Sequence, residues 1–135
     1  MKGIGYRQGV MGLALLATGL AGPATGEEIE RKLYLRYCSA CHGEAGKGDG
    51  VVSGFMNPKP TDLTQLAKKA GGKFPFYDVI RIVDGRQTLR AHGDPEMPVW
   101  GSLFRSEEGA SDYAEAAARG RVVMITEYLE SIQAK

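Results

Sequence analysis

The chain has 135 residues, with 17 lysines and arginines against 16 acidic residues and a formal net charge of +1. That balance gives no basic field, so nucleic acid is not an expected partner. The two cysteines, Cys38 and Cys41, are the only ones in the chain, and no repeat or low-complexity tract organises it.

The N-terminus reads as an export signal. Lys2 and Arg7 supply positive charge, residues 10–20 form a short apolar stretch, and Ala21-Gly22-Pro23-Ala24-Thr25-Gly26 supplies small residues for cleavage after Ala24 or Gly26. Residues 1–26 are therefore read as a cleavable secretory signal peptide. The apolar stretch is roughly half of the ~20 residues a membrane span needs. An uncleaved anchor is the other reading, and no stable membrane span is expected after cleavage. No cysteine lies near the cut, so a lipid-modified N-terminus is not expected. Residues 27–135 then form one small domain of about 110 residues. Loss of Lys2 and Arg7 takes two from the 17 basic residues, which leaves the domain one short of its 16 acidic ones. A chain of this size gains from a large apolar cofactor at its centre, because its own side chains bury a limited core.

Residues 27–39 read as the first helix of the domain. Glu27, Glu28 and Glu30 suit the positive end of the helix dipole, and Leu33, Tyr34 and Tyr37 fall on one face. Cys38-Ser39-Ala40-Cys41-His42 follows, the attachment pentapeptide for a covalently bound c-type haem. Each sulfur adds to one of two vinyl groups on one side of a porphyrin, and the two-residue gap keeps both sulfurs on that side. His42 then lies under the ring and can give a nitrogen to the iron. Three other readings fit less of the pattern. A thioredoxin-like dithiol follows a strand, whereas residues 29–37 read as helix. A closed zinc site needs four ligands, and beyond the cysteines only His42, His92 and carboxylates remain. A plain disulfide leaves the adjacent histidine unexplained.

Four glycines lie in the eight residues Gly43-Glu44-Ala45-Gly46-Lys47-Gly48-Asp49-Gly50, which means turn. Pro58 and Pro60 fix an extended path. Residues 63–70 form a short helix capped by Thr61 or Asp62 and ended by Gly71-Gly72. Phe76, Val79, Ile80 and Val83 place a further helix over residues 76–84, with Gly85 as its stop. Residues 86–96 read as loop, and residues 101–120 as an insertion-like solvated helix and loop that could serve docking. The last helix starts at Ala114 or Arg121 and ends at Ile132, with Val122, Ile125, Tyr128, Leu129 and Ile132 repeating at three and four. Very few stretches alternate at period two, so an all-α domain of three to five helices is expected.

The pentapeptide and Asp94-Pro95-Glu96-Met97-Pro98-Val99-Trp100-Gly101, which looks like a Met-Pro distal loop, make the chain resemble a monohaem class I c-type cytochrome of the bacterial cytochrome c family. The resemblance implies a small cytochrome c fold whose helices and long loops wrap around one covalently attached haem c. It implies Cys38 and Cys41 as attachment sites, His42 as proximal iron ligand and Met97 as distal ligand. His92 is the rival for the distal position, and Met56 and Met124 are read as loop or core residues. Trp100 is expected beside the haem. The carbonyl of Pro58 or Pro60 is expected to accept the second ring N–H of His42, and the last helix to cross the first so that Tyr128 and Leu129 meet Leu33 and Tyr37. The first helix departs from the family's pattern at Ile29, Glu30 and Arg31, where a small residue often permits close crossing.

The function implied is single-electron transfer in the periplasm, with no catalytic residue and no enzymatic activity. Donor and acceptor redox proteins, such as a dehydrogenase or a terminal oxidase, are the expected partners. The alternatives are a haem subunit of a multi-protein oxidoreductase complex, and a gas-sensing or peroxidase-like haem protein with an open distal site.

Overall fold

The computed structural model describes residues 25–86 and 97–135. The residues read as signal peptide up to position 24, His92 and most of the 86–96 loop lie outside the described residues. Among those described there is no strand, so the domain is all-α. The described residues hold six α-helices against the three to five expected, because two are single turns of four residues.

Helix α1 spans Gly26–Tyr37. Thr25 caps it, its hydroxyl accepting from the Glu28 N–H at 3.4 Å, and the helix begins one residue before the Glu27 start expected. Helix α2 is the single turn Ser39–His42. Cys38 marks the joint: its N–H still donates to the Tyr34 carbonyl at 2.9 Å, and its own backbone, at φ −115° and ψ −32°, starts the next turn. Gly43 closes α2 at φ 78°, a left-handed value that a side chain would strain.

A short 3-10 turn, Ser53–Phe55, lies in the following loop. Residues 63–70, expected as one helix, fold as a 3-10 turn, Leu63–Gln65, and α3, Leu66–Lys69. Asp62 rather than Thr61 is the cap, its Oδ1 accepting from the Thr64 N–H at 2.9 Å. Helix α4, Phe76–Asp84, has the bounds expected and ends at Gly85 in the left-handed conformation. Helix α5 spans Trp100–Glu107, and α6 spans Ala114–Ser131.

The long helix α6 is the centre of the packing and meets α1, α4 and α5. Its buried face is Ala118, Val122, Ile125, Thr126, Tyr128 and Leu129. Thr126 is sealed from solvent, its hydroxyl donating to the Val122 carbonyl at 2.8 Å, so no polar group is orphaned there. The crossing of α1 and α6 includes a ring pair that the sequence expectation left out. Tyr128 packs on Tyr34, ring centroids 4.9 Å apart, while Tyr37 turns to α5 and meets Phe104 at 4.9 Å and Trp100 at 5.6 Å. Tyr34 and Tyr37 stand roughly 60° apart around the helix, enough to serve two different neighbours.

The segment 101–120 is the largely exposed helix and loop expected, with Gly101, Phe104 and Ala118 its buried residues. Its first part is α5. Arg121 reaches back from α6 to Glu107 at 2.6 Å and to Glu108. No described helix is long and apolar enough to cross a membrane.

Candidate functional site

The turn of α2 gathers three of the four predicted site residues. Cys38 is buried in the apolar core, and Cys41 and His42 are half-buried on the same turn. Cys38 lies close enough to Cys41 to feel its charge. Burial, and secondarily that neighbour, push the Cys38 thiol up to about 12. A redox dithiol needs an accessible thiolate of lowered pKa, and this sulfur has the opposite environment. The pair is unbridged.

His42 is oriented by one hydrogen bond. Its Nδ1 lies 2.9 Å from the Thr61 carbonyl. A carbonyl only accepts, so Nδ1 carries the proton and Nε2 of the neutral ring keeps its lone pair. Burial disfavours the imidazolium and lowers the pKa of His42, with the Thr61 carbonyl pulling the other way. The partner is thus Thr61, not Pro58 or Pro60. The carbonyl two residues before Leu63 is aimed by the bond from the Leu63 N–H to the Gly46 carbonyl, 2.7 Å, which the sequence alone does not show.

Close backbone approaches fix the loop around this turn. The Gly50 N–H donates to the Cys41 carbonyl at 3.1 Å and the Val52 N–H to the Ala40 carbonyl at 3.1 Å. A Cβ on Gly50 would stand 2.2 Å from the Ala40 oxygen, and one on Gly48 2.3 Å from the Pro60 oxygen. The hydroxyl of the fully buried Tyr34 donates to the Gly43 carbonyl at 2.6 Å. Tyr34 entered the sequence reading as core alone, because nothing local indicates where its hydroxyl goes.

Met97 comes from the opposite side of the chain order. It is half-buried and packs on the core cluster that includes Cys38. Trp100, three residues on, stacks on Phe104 at 5.9 Å and meets Tyr37, the residue before Cys38. His92 lies outside the described residues. Among the described residues no cluster of three or more His, Cys, Asp or Glu could hold a metal ion. The donors expected from the sequence, the His42 imidazole and the Met97 thioether, are of the types that suit iron already held in a tetrapyrrole.

A separate cavity of about 190 Å³ lies between α4 and α6, lined by Ile80, Asp84, Val122 and Val123 with three arginines. Those arginines pair with Asp78, Asp84 and Glu115, and the cavity shares no lining residue with the cysteine-histidine turn.

Comparison of the chain with protein-family models, with curated proteins and with solved structures finds no match.

Proposed function

We propose that this chain is an exported electron-transfer protein of the class I c-type cytochrome kind, carrying one covalent haem c on Cys38 and Cys41 with His42 and Met97 as axial ligands. The observation that carries the reading is the α2 turn: two sulfurs and a histidine within five residues, the histidine's Nδ1 committed to the Thr61 carbonyl at 2.9 Å and its Nε2 left basic. The residues fit the group. The cysteines supply two sulfurs at the spacing that thioether attachment needs, and the donor set is nitrogen plus sulfur.

A haem held there supplies a one-electron ferric/ferrous couple. The chain's own residues do the rest. Cys38 and Cys41 make the attachment permanent. Thr61 fixes the tautomer and plane of the His42 ring and raises its basicity. The Met97 thioether is soft and neutral and favours the reduced state relative to a second imidazole. Pro98 restricts the backbone beside it, and the rings of Tyr37, Trp100 and Phe104 keep water from the core behind it. Two persistent protein ligands leave no position for a substrate, which is why electron transfer is favoured over catalysis.

The loop tied to α2 supports a protein partner for that transfer. Val51 is 86% and Phe55 92% exposed, in an apolar loop that Gly50 and Val52 tie to Cys41 and Ala40. A docking partner that covers it would stand next to the attachment turn. The same loop serves the second reading, a haem subunit of an oxidoreductase complex, and copurification with a dehydrogenase or oxidase separates the two.

The test is spectroscopic. The oxidised mature protein should show the weak band at the red edge of the visible spectrum that marks sulfur ligation. Met97→Ala should abolish it and His92→Ala should keep it. The reverse pattern makes His92 the ligand. Rapid carbon monoxide binding to the reduced wild type at neutral pH contradicts a closed distal site.

A further inference from the structure

We infer that Gln133 is a positioning residue for His42, acting from the C-terminal tail through the strap that carries the Thr61 carbonyl; this rests on the reading of His42 as a haem ligand. The Gln133 carboxamide makes three hydrogen bonds. Its Nε2 donates to the Leu63 carbonyl at 2.8 Å and to the Leu129 carbonyl at 2.6 Å. Its Oε1 accepts from the Ala67 N–H at 2.9 Å. Two carbonyls on one side and an N–H on the other admit a single orientation of the amide. The Ala134 N–H adds a fourth bond, to the Thr64 carbonyl at 2.8 Å. The end of α6 therefore grips residues 63–67 although they lie about seventy positions earlier in the chain.

That grip reaches His42 through a short, stiff path. Leu63 is held at both of its peptide groups, its carbonyl by Gln133 and its N–H by the Gly46 carbonyl at 2.7 Å. Peptide units are planar, so only the φ and ψ of Asp62 separate the Leu63 N–H from the Thr61 carbonyl. Those torsions, −66° and 106°, are themselves restricted, because the Asp62 carboxylate accepts from both the N–H and the hydroxyl of Thr64 at 2.9 and 2.7 Å. Loosening Leu63 thus lets the Thr61 carbonyl swing away from His42 Nδ1. A weaker bond at Nδ1 makes the imidazole a poorer donor, which stabilises ferric iron less and moves the potential positive.

The experiment uses the mature haem-loaded protein as wild type, Gln133→Leu, Gln133→Asn and Ser131→Ala. Ser131 donates to the Tyr128 carbonyl at the same helix end and has no bond to the strap, so its variant controls for simple fraying of α6. Amide exchange of Leu63 and the reduction potential are measured together. Gln133→Leu should speed Leu63 exchange about two- to tenfold, as loss of the one of its three bonds that holds the Leu63 carbonyl allows, and should move the potential positive; Ser131→Ala should do neither. If Gln133→Leu fails to fold, Gln133→Asn, too short to span the same partners, is read in the same way. Unchanged Leu63 exchange, or faster exchange with the potential unmoved, overturns the inference. Wild-type protein without covalent pigment overturns the haem reading instead, and the Leu63 exchange still decides whether Gln133 holds the strap.

Discussion

Tyr34 has lost all contact with solvent and still needs a partner for its hydroxyl; the Gly43 carbonyl, 2.6 Å away, is that partner. Burial, with the neighbouring Cys38, Tyr128 and Asp49, keeps the phenol protonated well above the ordinary tyrosine range, so it donates at any working pH. The bond joins the α1–α6 crossing to the residue directly after His42. In Tyr34→Phe the Gly43 carbonyl keeps a second donor, the Gly46 N–H at 3.1 Å, so no acceptor is orphaned. The variant should therefore lose only the net worth of one hydrogen bond, about 0.5–1.5 kcal/mol. A urea midpoint shifted down at constant slope is the expected outcome; an unchanged midpoint would show that the hydroxyl contributes nothing.

At the scale of elements, the junction of α4 and α5 is closely packed. Gly85 ends α4 at φ 82°, and a Cβ there would stand 2.3 Å from Val99. A Cβ on Gly101 would stand 1.9 Å from the Asp84 carboxylate and 2.9 Å from its backbone oxygen. Asp84 is buried and pairs with Arg86, so it has little room to yield. Alanine ordinarily favours a helix by about 1 kcal/mol over glycine. Here the overlap should reverse the sign, and Gly101→Ala should cost roughly 1–3 kcal/mol. Gly54, whose Cβ would meet nothing within 4 Å, is the control: Gly54→Ala should stay within about 0.5 kcal/mol of wild type. Equal unfolding midpoints for the two variants would mean that α4 and α5 can slide apart freely.

The same junction explains what the sequence hid. Helices α4 and α6 were legible because their apolar residues keep helical spacing over nine and 18 residues. Helix α5 has only eight residues, with Gly101, Ser102 and Ser106 among them and no side-chain cap. It is held by contacts from elsewhere, the Tyr37 ring and the end of α4. At the site, the grouping of Cys38, Cys41 and His42 on one turn was legible because local spacing sets it. Thr61 and Gln133 were not, since each acts through a carbonyl or amide whose direction depends on residues far away in the chain. Tyr34 and Tyr37 share a helix face, yet their rings meet different partners, Tyr128 of α6 and Phe104 of α5, which helical spacing alone does not show.

Over the whole molecule, α6 forms a spine against which α1, α4 and α5 pack, and a belt of ion pairs ties its first half to the neighbours. Glu115 meets Arg119 at 2.7 Å, Arg105 at 3.4 Å and Arg86 at 3.7 Å. Such exposed pairs add little stability each; their use here is to set how α4, α5 and α6 register. The core of so small a domain is short of apolar volume. Under the proposed function a covalent haem supplies the missing mass, and the cysteines that carry it are thioethers in the mature protein. The most direct measurement is the intact mass of the exported protein, unfolded and treated with a thiol-alkylating reagent, with fragmentation to locate any addition. One haem on the peptide containing Cys38 and Cys41, with no alkylation of either cysteine, is the expected result. A peptide of unmodified mass that takes up the reagent at both cysteines would contradict it.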